Sequence, residues 1–158
     1  MIWDWVRLCR QICCDPALLY EGYRGGSAKT ELCLELIRNA ISSGHKILLF
    51  SQFTSMLERL RQKLEEENIS YYLLTAADIV IHFDPWWNLA VQNQATDRAH
   101  RIGQSNVVTV YKLIVKGTIE ENIMKIQEQK KELAEQVIGG EGMNLGSFTK
   151  EELLELLR

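Results

Sequence analysis

The sequence predicts an α/β fold, a mainly parallel sheet flanked by helices. Short apolar runs alternate along the chain with segments in which apolar residues recur every three or four positions, as buried strands and crossover helices do. The 158 residues, 46% of them hydrophobic, suffice to close a single core without disulfides. We therefore expect one compact lobe.

The first half of the chain predicts two helices and two strands. Apolar residues at helical spacing indicate a helix over 29–41, which Gly44 ends. The unbroken apolar run 47–50 predicts a buried strand, and residues 71–74 are a second strand candidate. Between them a helix is expected over 54–66, with four inward positions: Met56, Leu57, Leu60 and Leu64.

The second half predicts strands over 79–83 and 107–114, separated by a helix over 89–102. This completes the alternation of strands and helices that an α/β sheet requires.

A C-terminal helical extension follows the last strand. The capping-box sequence from Thr118 to Glu121 opens a helix, because its hydroxyl and carboxylate can accept from otherwise unpaired N–H groups. The apolar face of this helix comprises Ile119, Ile123, Ile126, Leu133 and Val137. A glycine-rich linker at 139–147 then leads to a last short helix at 150–157.

Composition restricts the class of protein. The longest apolar runs are a few residues long, far short of the ~20 that cross a bilayer, and the start of the chain lacks the features of a signal peptide. The four cysteines form no C-x-x-C and have no histidine at zinc-ligand spacing, which indicates buried thiols. We expect an intracellular protein without a membrane partner.

The net charge of −3 argues mildly against a dedicated nucleic-acid binder. Its distribution weakens that argument, since residues 94–131 hold seven Lys or Arg against four acids, whereas residues 132–158 hold two against six. A basic stretch followed by an acidic tail suits a lobe that shares DNA binding with another lobe.

Three polar residues of the predicted helix 89–102 point to phosphate chemistry. Gln94, Arg98 and Arg101 are spaced by four and then three, so they fall within about 60° of one another on a helix. An arginine fork donates bidentately to phosphate and keeps its charge. An adjacent apolar stripe comprises Val91, Ala95, Ala99 and Ile102. The alternative is a solvated helix with incidental arginines.

Five segments together resemble one family of nucleic-acid motors. Residues 94–104 resemble the sixth helicase motif of Snf-type ATPases over eleven consecutive positions. Asp-Pro-Trp-Trp-Asn at 84–88 resembles the family's lead-in to that motif, and Phe-Ser-Gln-Phe at 50–53 its fourth motif. Residues 10–18 and 117–121 are similar to the entry into the family's second lobe and to its C-terminal helix.

The resemblance implies a domain organisation. Snf-type ATPases have two RecA-like lobes that hold ATP between them and DNA across both. Residues 29–117 would form the second lobe, with an entry helix and linker at 1–28 and a helical extension at 118–158. The implied partners are the N-terminal RecA-like lobe and double-stranded DNA, and ATP with Mg²⁺ is expected only in the complete two-lobe enzyme.

The resemblance also implies a nucleotide site. Arg101 would be the arginine finger that reaches the γ-phosphate, supported by Arg98 and Gln94 from the same helix face. Arg98 and Arg101 are thus the candidate catalytic residues, and all three are candidate ATP contacts.

Two further segments are candidate DNA contacts. Trp87 and Asn88 match a pair that lies close to DNA in the family. Ser51 and Gln52 follow the strand at 47–50, the end at which open α/β sheets place ligand loops. The ordinary alternatives are core packing for the tryptophans, which we expect for Trp86, and helix capping for Ser51.

The stretch from Gly22 to Thr30 superficially resembles a phosphate loop, but Tyr23 and Ala28 stand where that motif requires glycine. A linker with Ser27 or Thr30 capping the next helix is the better interpretation. The sequence contains neither a phosphate loop nor an acidic Mg²⁺ motif elsewhere, so this lobe alone is predicted not to hydrolyse ATP.

The strand candidates 71–74 and 79–83 conflict with a parallel sheet. Parallel neighbours need a crossover of a dozen or more residues, and only residues 75–78 separate these two. Snf-type ATPases carry at this place a helix, a further strand and a glycine-rich fifth motif that contacts nucleotide and DNA. We therefore predict that a segment is deleted or disordered between about Leu73 and Ala76, near 75/76.

The sequence thus predicts the second lobe of an ATP-dependent translocase on double-stranded DNA, which supplies the arginine finger and DNA-backbone contacts. The alternative is a non-catalytic module that docks DNA or another protein, and the Arg98/Arg101 pair argues against it. An autonomous small-molecule enzyme lacks a nucleophile–base pairing among the three histidines.

Overall fold

A computed structural model describes residues 2–71, 77–86, 88–97 and 107–136, together with Glu151 and Leu154. Strands and helices alternate through the middle of the chain, as predicted. The elements in chain order are α1 (Ile2–Cys14), a 3₁₀ turn (Pro16–Leu18), α2 (Ala28–Ser42), β1 (Ile47–Phe50), α3 (Thr54–Glu66), β2 (Ile79–His82), α4 (Leu89–Asp97), β3 (Thr109–Lys112) and α5 (Ile119–Gln136).

The three described strands form one parallel sheet in the order β1-β2-β3. In the chain, α3 lies between β1 and β2, and α4 lies between β2 and β3. Each parallel pair therefore has the crossover helix that it needs, and the predicted α/β class with a parallel sheet is confirmed. The strand candidate 71–74 falls almost entirely on residues 72–76, outside the described part of the chain.

The main core is formed by α2, α3, the end of α1 and the sheet. Its buried members are Cys14, Cys33, Ile37, Phe53, Met56, Leu60, Ile81, Phe83 and Leu113. Burial is deepest on β2, whereas the four β1 residues are only half-buried and β3 is exposed. The prediction of a fully buried strand at 47–50 is therefore wrong, because β1 lies at one edge of the described sheet.

The ends of α2 follow the sequence prediction. The Ser27 hydroxyl accepts from the Thr30 amide at 3.3 Å and caps the helix. Gly44, with φ of +76°, follows its last turn in the left-handed region that glycine tolerates best. Lys29 in the first turn is buried against Glu120 of α5, so the stretch that resembles a phosphate loop holds its lysine inside the fold.

α5 packs against α1 through a smaller cluster of Val6, Ile119 and Ile123. Its capping differs from the predicted box: the Thr118 hydroxyl accepts from the Glu120 amide at 3.3 Å, and the Glu121 carboxylate accepts from the Gly117 amide at 2.9 Å. The glycine-rich linker and most of the last predicted helix lie outside the described residues, although Glu151 and Leu154 are both helical.

All four cysteines are free. Cys14 and Cys33 are buried, as predicted, and burial raises the pKa of the Cys33 thiol to about 12. Cys9 and Cys13 are only half-buried. Within the described ranges, no helix is long and apolar enough to cross a membrane, and no group of three or more His, Cys, Asp or Glu is arranged to hold a metal ion.

Candidate functional site

The loops that follow β1 and β2 meet at the carboxyl edge of the sheet, where open α/β sheets bind their ligands. Ser51 and Gln52 open the first loop, and Asp84 opens the second. The fully buried Asp84 carboxylate accepts from the Ser51 hydroxyl at 2.5 Å and from the Gln52 amide at 3.2 and 3.3 Å. The Ser51-Gln52 segment, predicted to contact DNA, is therefore bonded to the loop that leads to Asn88, another predicted DNA contact.

Ser51 and Gln52 use much of their hydrogen-bonding capacity inside the protein. The Ser51 hydroxyl donates to Asp84 and also accepts from the Phe53 amide at 3.1 Å. Phe53, rather than Ser51, is the N-cap residue of α3. Gln52 donates one Nε2 hydrogen to the Pro85 carbonyl at 3.1 Å. Ser51 thus shapes the loop, while Gln52 has a second Nε2 hydrogen with which to donate.

Arg10 of α1 connects the two loops at this edge, and the sequence does not identify it as a site residue. Its guanidinium, in a side chain only 2% exposed, donates to Gln52 Oε1 at 3.2 Å, to Asp84 Oδ2 at 3.3 Å and to the Pro85 carbonyl at 2.5 Å. Burial lowers the pKa of Arg10, and the Asp84 charge opposes that shift. Burial raises the pKa of Asp84, whereas the Ser51 hydrogen bond and the Arg10 charge lower it.

The second loop is also held by α4 and α5. Its Trp86 amide donates to Gln92 Oε1 at 3.3 Å, and its Trp86 carbonyl accepts from Gln127 Nε2. Asn88 Oδ1 accepts from the Val91 amide at 3.4 Å in the first turn of α4. Trp86 is half-buried rather than a full core residue, and Trp87 lies outside the described residues.

α4 only partly matches the predicted helix faces. Gln94 is exposed and Ala95 is buried, as expected. Val91 is 40% exposed, so its assignment to an apolar stripe is wrong. Gln92 is buried instead, because its amide is needed for the Trp86 contact. Arg98 and Arg101 lie outside the described residues, as do Ala99 and Ile102.

His82 at the end of β2 anchors α4 on the sheet. Its Nε2 lies 3.0 Å from Thr96 Oγ1, and the Thr96 hydroxyl already donates to the Gln92 carbonyl at 3.1 Å. The histidine must therefore donate, which assigns its proton to Nε2. The ring stacks on Phe50 at 5.6 Å. Burial, with a smaller contribution from the Lys112 charge, lowers the pKa of His82 to about 4.

We expect the lowered His82 pKa to make the chain acid-sensitive. Between pH 6.5 and 4 the unfolded chain binds a proton that the folded chain excludes, so stability is lost as the pH falls through this window. The free energy of unfolding should drop by about 2 kcal/mol between pH 7 and pH 5 from this group. Urea unfolding at both pH values measures it.

His82→Phe is the matched variant, because it keeps a ring beside Phe50 and leaves the Thr96 hydroxyl bonded to the Gln92 carbonyl. The carboxylates titrate alike in both proteins, so only the difference between them reports His82. An equal loss of stability in both proteins would show that His82 is not the group responsible.

Comparisons with known proteins relate this geometry to a family. The family "Helicase conserved C-terminal domain" matches residues 72–103. An "uncharacterized ATP-dependent helicase" of Mycoplasma pneumoniae is 37% identical over 86% of this chain and 17% of its own length. The human "Chromatin-remodeling ATPase INO80" is 34% identical over 77% of this chain and 10% of its own length. The chain belongs to the Snf-type family of helicase-like ATPases.

The fold of this Snf-type lobe has a solved counterpart. The crystal structure of the C-terminal part of the Fun30 ATPase domain superposes with a TM-score of 0.58 at 24% identity, covering 78% of this chain and 53% of that one. The likeness shows the fold, a parallel sheet flanked by helices as in a RecA-like lobe.

This chain spans only part of the length of the relatives that it matches. It spans about a sixth of the Mycoplasma pneumoniae protein and a fifth of the Bacillus subtilis protein "Putative ATP-dependent helicase/translocase YwqA", which is 35% identical over 93% of this chain. The first alignment also runs over 174 positions, although 86% of 158 residues is about 136. About 38 aligned positions therefore have no residue in this chain.

Proposed function

We propose that this chain is the second lobe of a two-lobe ATPase that couples ATP hydrolysis to movement along double-stranded DNA. The observation that carries the proposal is the joined pair of loops at the carboxyl edge of the sheet, built from the Ser51-Gln52 and Asp84–Asn88 segments. The membership of the chain in the Snf-type family supports the same conclusion. The partner is the N-terminal RecA-like lobe.

Arg98 and Arg101 are the catalytic residues in this proposal. Gln94 is exposed on α4, and on a regular helix residues four and then seven positions further along share one face with it. Arg101 neutralises charge that develops on the γ-phosphoryl group of ATP, while Arg98 and Gln94 hold the adjacent phosphate oxygens. Mg²⁺ held by the first lobe would offset the negative charge of the ATP phosphates.

The DNA contacts lie along the joined loops. Gln52 can offer its second Nε2 hydrogen to a phosphate oxygen, and Ser51 fixes the loop through Asp84. Asn88 lies on the second loop, and Trp87 directly precedes it in the sequence; an aromatic side chain can pack on the sugar edge of DNA without reading sequence. Contacts of this kind suit a motor that moves over any sequence.

We further propose that the lobe lacks a segment between about Leu73 and Ala76. The segment that we propose to be missing is either deleted or disordered. The surplus of about 38 positions in the relative is close to the 30 or so residues of a strand–helix–strand unit. A two-lobe enzyme with this segment restored is the complete form of the motor.

ATP hydrolysis by the two-lobe enzyme, measured against duplexes of increasing length, tests this function. Duplex DNA should stimulate ATP hydrolysis by a translocase. The stimulation should rise with the length of the duplex until that length no longer limits turnover. DNA binding without stimulated hydrolysis would instead favour the non-catalytic docking module. We place this activity inside the cell, on the nucleoid in a bacterium or in the nucleus of a eukaryote.

A further inference from the structure

Arg10 connects both loops of the candidate DNA site while remaining buried itself. It lies 42 residues before Gln52 and 74 before Asp84 in the chain. One guanidinium nitrogen, Nη1, donates to Gln52, and the other, Nη2, donates to Asp84 and to the Pro85 carbonyl. The guanidinium also lies 5.4 Å from the centroid of the Phe53 ring.

The shape of the guanidinium makes this connection specific. Its donors lie in one plane at fixed angles, so bonds from Nη1 to the first loop and from Nη2 to the second fix the separation of the loops. A lysine ammonium is a single point and cannot span both acceptors with the same geometry. Gln52 and Asn88, which lie on the two loops, are therefore held at one separation.

We propose that Arg10 is a positioning residue for duplex DNA binding, which fixes the separation of the Gln52 and Asn88 loops without contacting DNA. The inference rests on the proposed function of the lobe. A side chain that is 2% exposed and bonded to three internal acceptors cannot also hold a phosphate. Its effect on DNA must pass through the loops.

Arg10→Lys in the two-lobe enzyme tests the proposal. Lysine keeps a positive charge beside the buried Asp84, so the chain should fold. We expect the duplex concentration that gives half-maximal ATPase stimulation to rise about tenfold, equivalent to about 1.4 kcal/mol. The kcat at saturating duplex and the KM for ATP should stay within about twofold. In a variant that removes the Arg10 charge, the salt dependence of DNA binding should keep its slope, because Arg10 makes no phosphate contact.

Two comparisons complete the test. Arg59→Lys makes the same change in another arginine–aspartate pair, 3.0 Å from Asp15, and should leave DNA dependence unchanged. The double variant Arg10→Met/Asp84→Asn removes both buried charges and should raise the half-saturating duplex concentration as Arg10→Lys does. Urea unfolding of each variant reports its stability.

The outcomes separate this inference from the proposed function. Unchanged duplex dependence in both Arg10 variants overturns the positioning role while leaving the motor intact. A smaller salt slope would show a direct phosphate contact and would also overturn the positioning role. A loss of kcat that merely parallels the loss of stability would overturn it too. If duplex DNA fails to stimulate the wild-type enzyme, the proposed function itself is wrong.

Discussion

Replacing Arg101 by alanine in the two-lobe enzyme is expected to lower kcat for DNA-stimulated ATP hydrolysis by about 10³-fold or more. An arginine finger acts on charge that develops during phosphoryl transfer, so its loss affects turnover more than ATP binding. Arg101→Lys should be nearly as damaging, because an ammonium cannot reproduce the bidentate fork. Steady-state kinetics with saturating duplex measure both effects.

The matched control is Arg61 of α3, a half-exposed arginine that pairs with Glu58 at 2.5 Å. Arg61→Ala and Arg61→Lys should leave kcat within about twofold, since exposed ion pairs contribute little. An Arg101→Lys enzyme with more than half of the wild-type kcat would show that Arg101 supplies only a nearby charge.

The second large effect concerns the buried ion pair between α2 and α5. Lys29 Nζ lies 2.6 Å from each Glu120 oxygen, and the two side chains are 4% and 0% exposed. Lys29→Met leaves the carboxylate buried without its cation and should cost about 3–5 kcal/mol in the free energy of unfolding. Urea unfolding at pH 7 measures the loss.

The pH dependence of this variant has a defined sign. Burial raises the pKa of Glu120, and Lys29 opposes that shift, so removing Lys29 raises the pKa further. The folded Lys29→Met protein then retains a proton that the unfolded chain has released, and its stability falls as the pH rises above the ordinary glutamate pKa.

A double variant identifies the unpaired charge as the cause. Lys29→Met/Glu120→Gln removes both charges, and the glutamine oxygen can still accept from the Val115 amide, now 3.0 Å from Glu120 Oε2. Most of the lost stability should return. Lys63→Met, which breaks an exposed pair with Glu66 at 3.4 Å, should cost less than about 1 kcal/mol. Equal costs for Lys29→Met and Lys63→Met would contradict this account.

Local sequence patterns predicted the helices and strands well. Apolar spacing located α2 and α3, and a hydroxyl and a glycine marked the ends of α2. Burial across the sheet was harder to predict, because it depends on neighbours that are distant in the chain. The run 47–50 has a core composition, yet it forms a half-buried edge strand of the described sheet.

The polar connections of the site could not be predicted from the sequence. Arg10, Gln92 and Gln127 are each deeply buried and hold the loop after β2. In a sequence they read as surface residues, since such side chains are mostly exposed. Their partners are largely backbone groups and one buried carboxylate, and no spacing rule relates α1, α4 and α5 to that loop. Gln94 is the opposite case, because helical periodicity alone places it on the exposed face.

Steady-state ATP turnover, with and without duplex DNA, tests whether both lobes are needed when it is measured for this chain alone, the first lobe alone, and the two joined with the missing segment restored. We expect turnover above background only in the joined protein, with stimulation by duplex DNA. Turnover by this chain alone that disappears on Arg101→Ala would contradict this expectation.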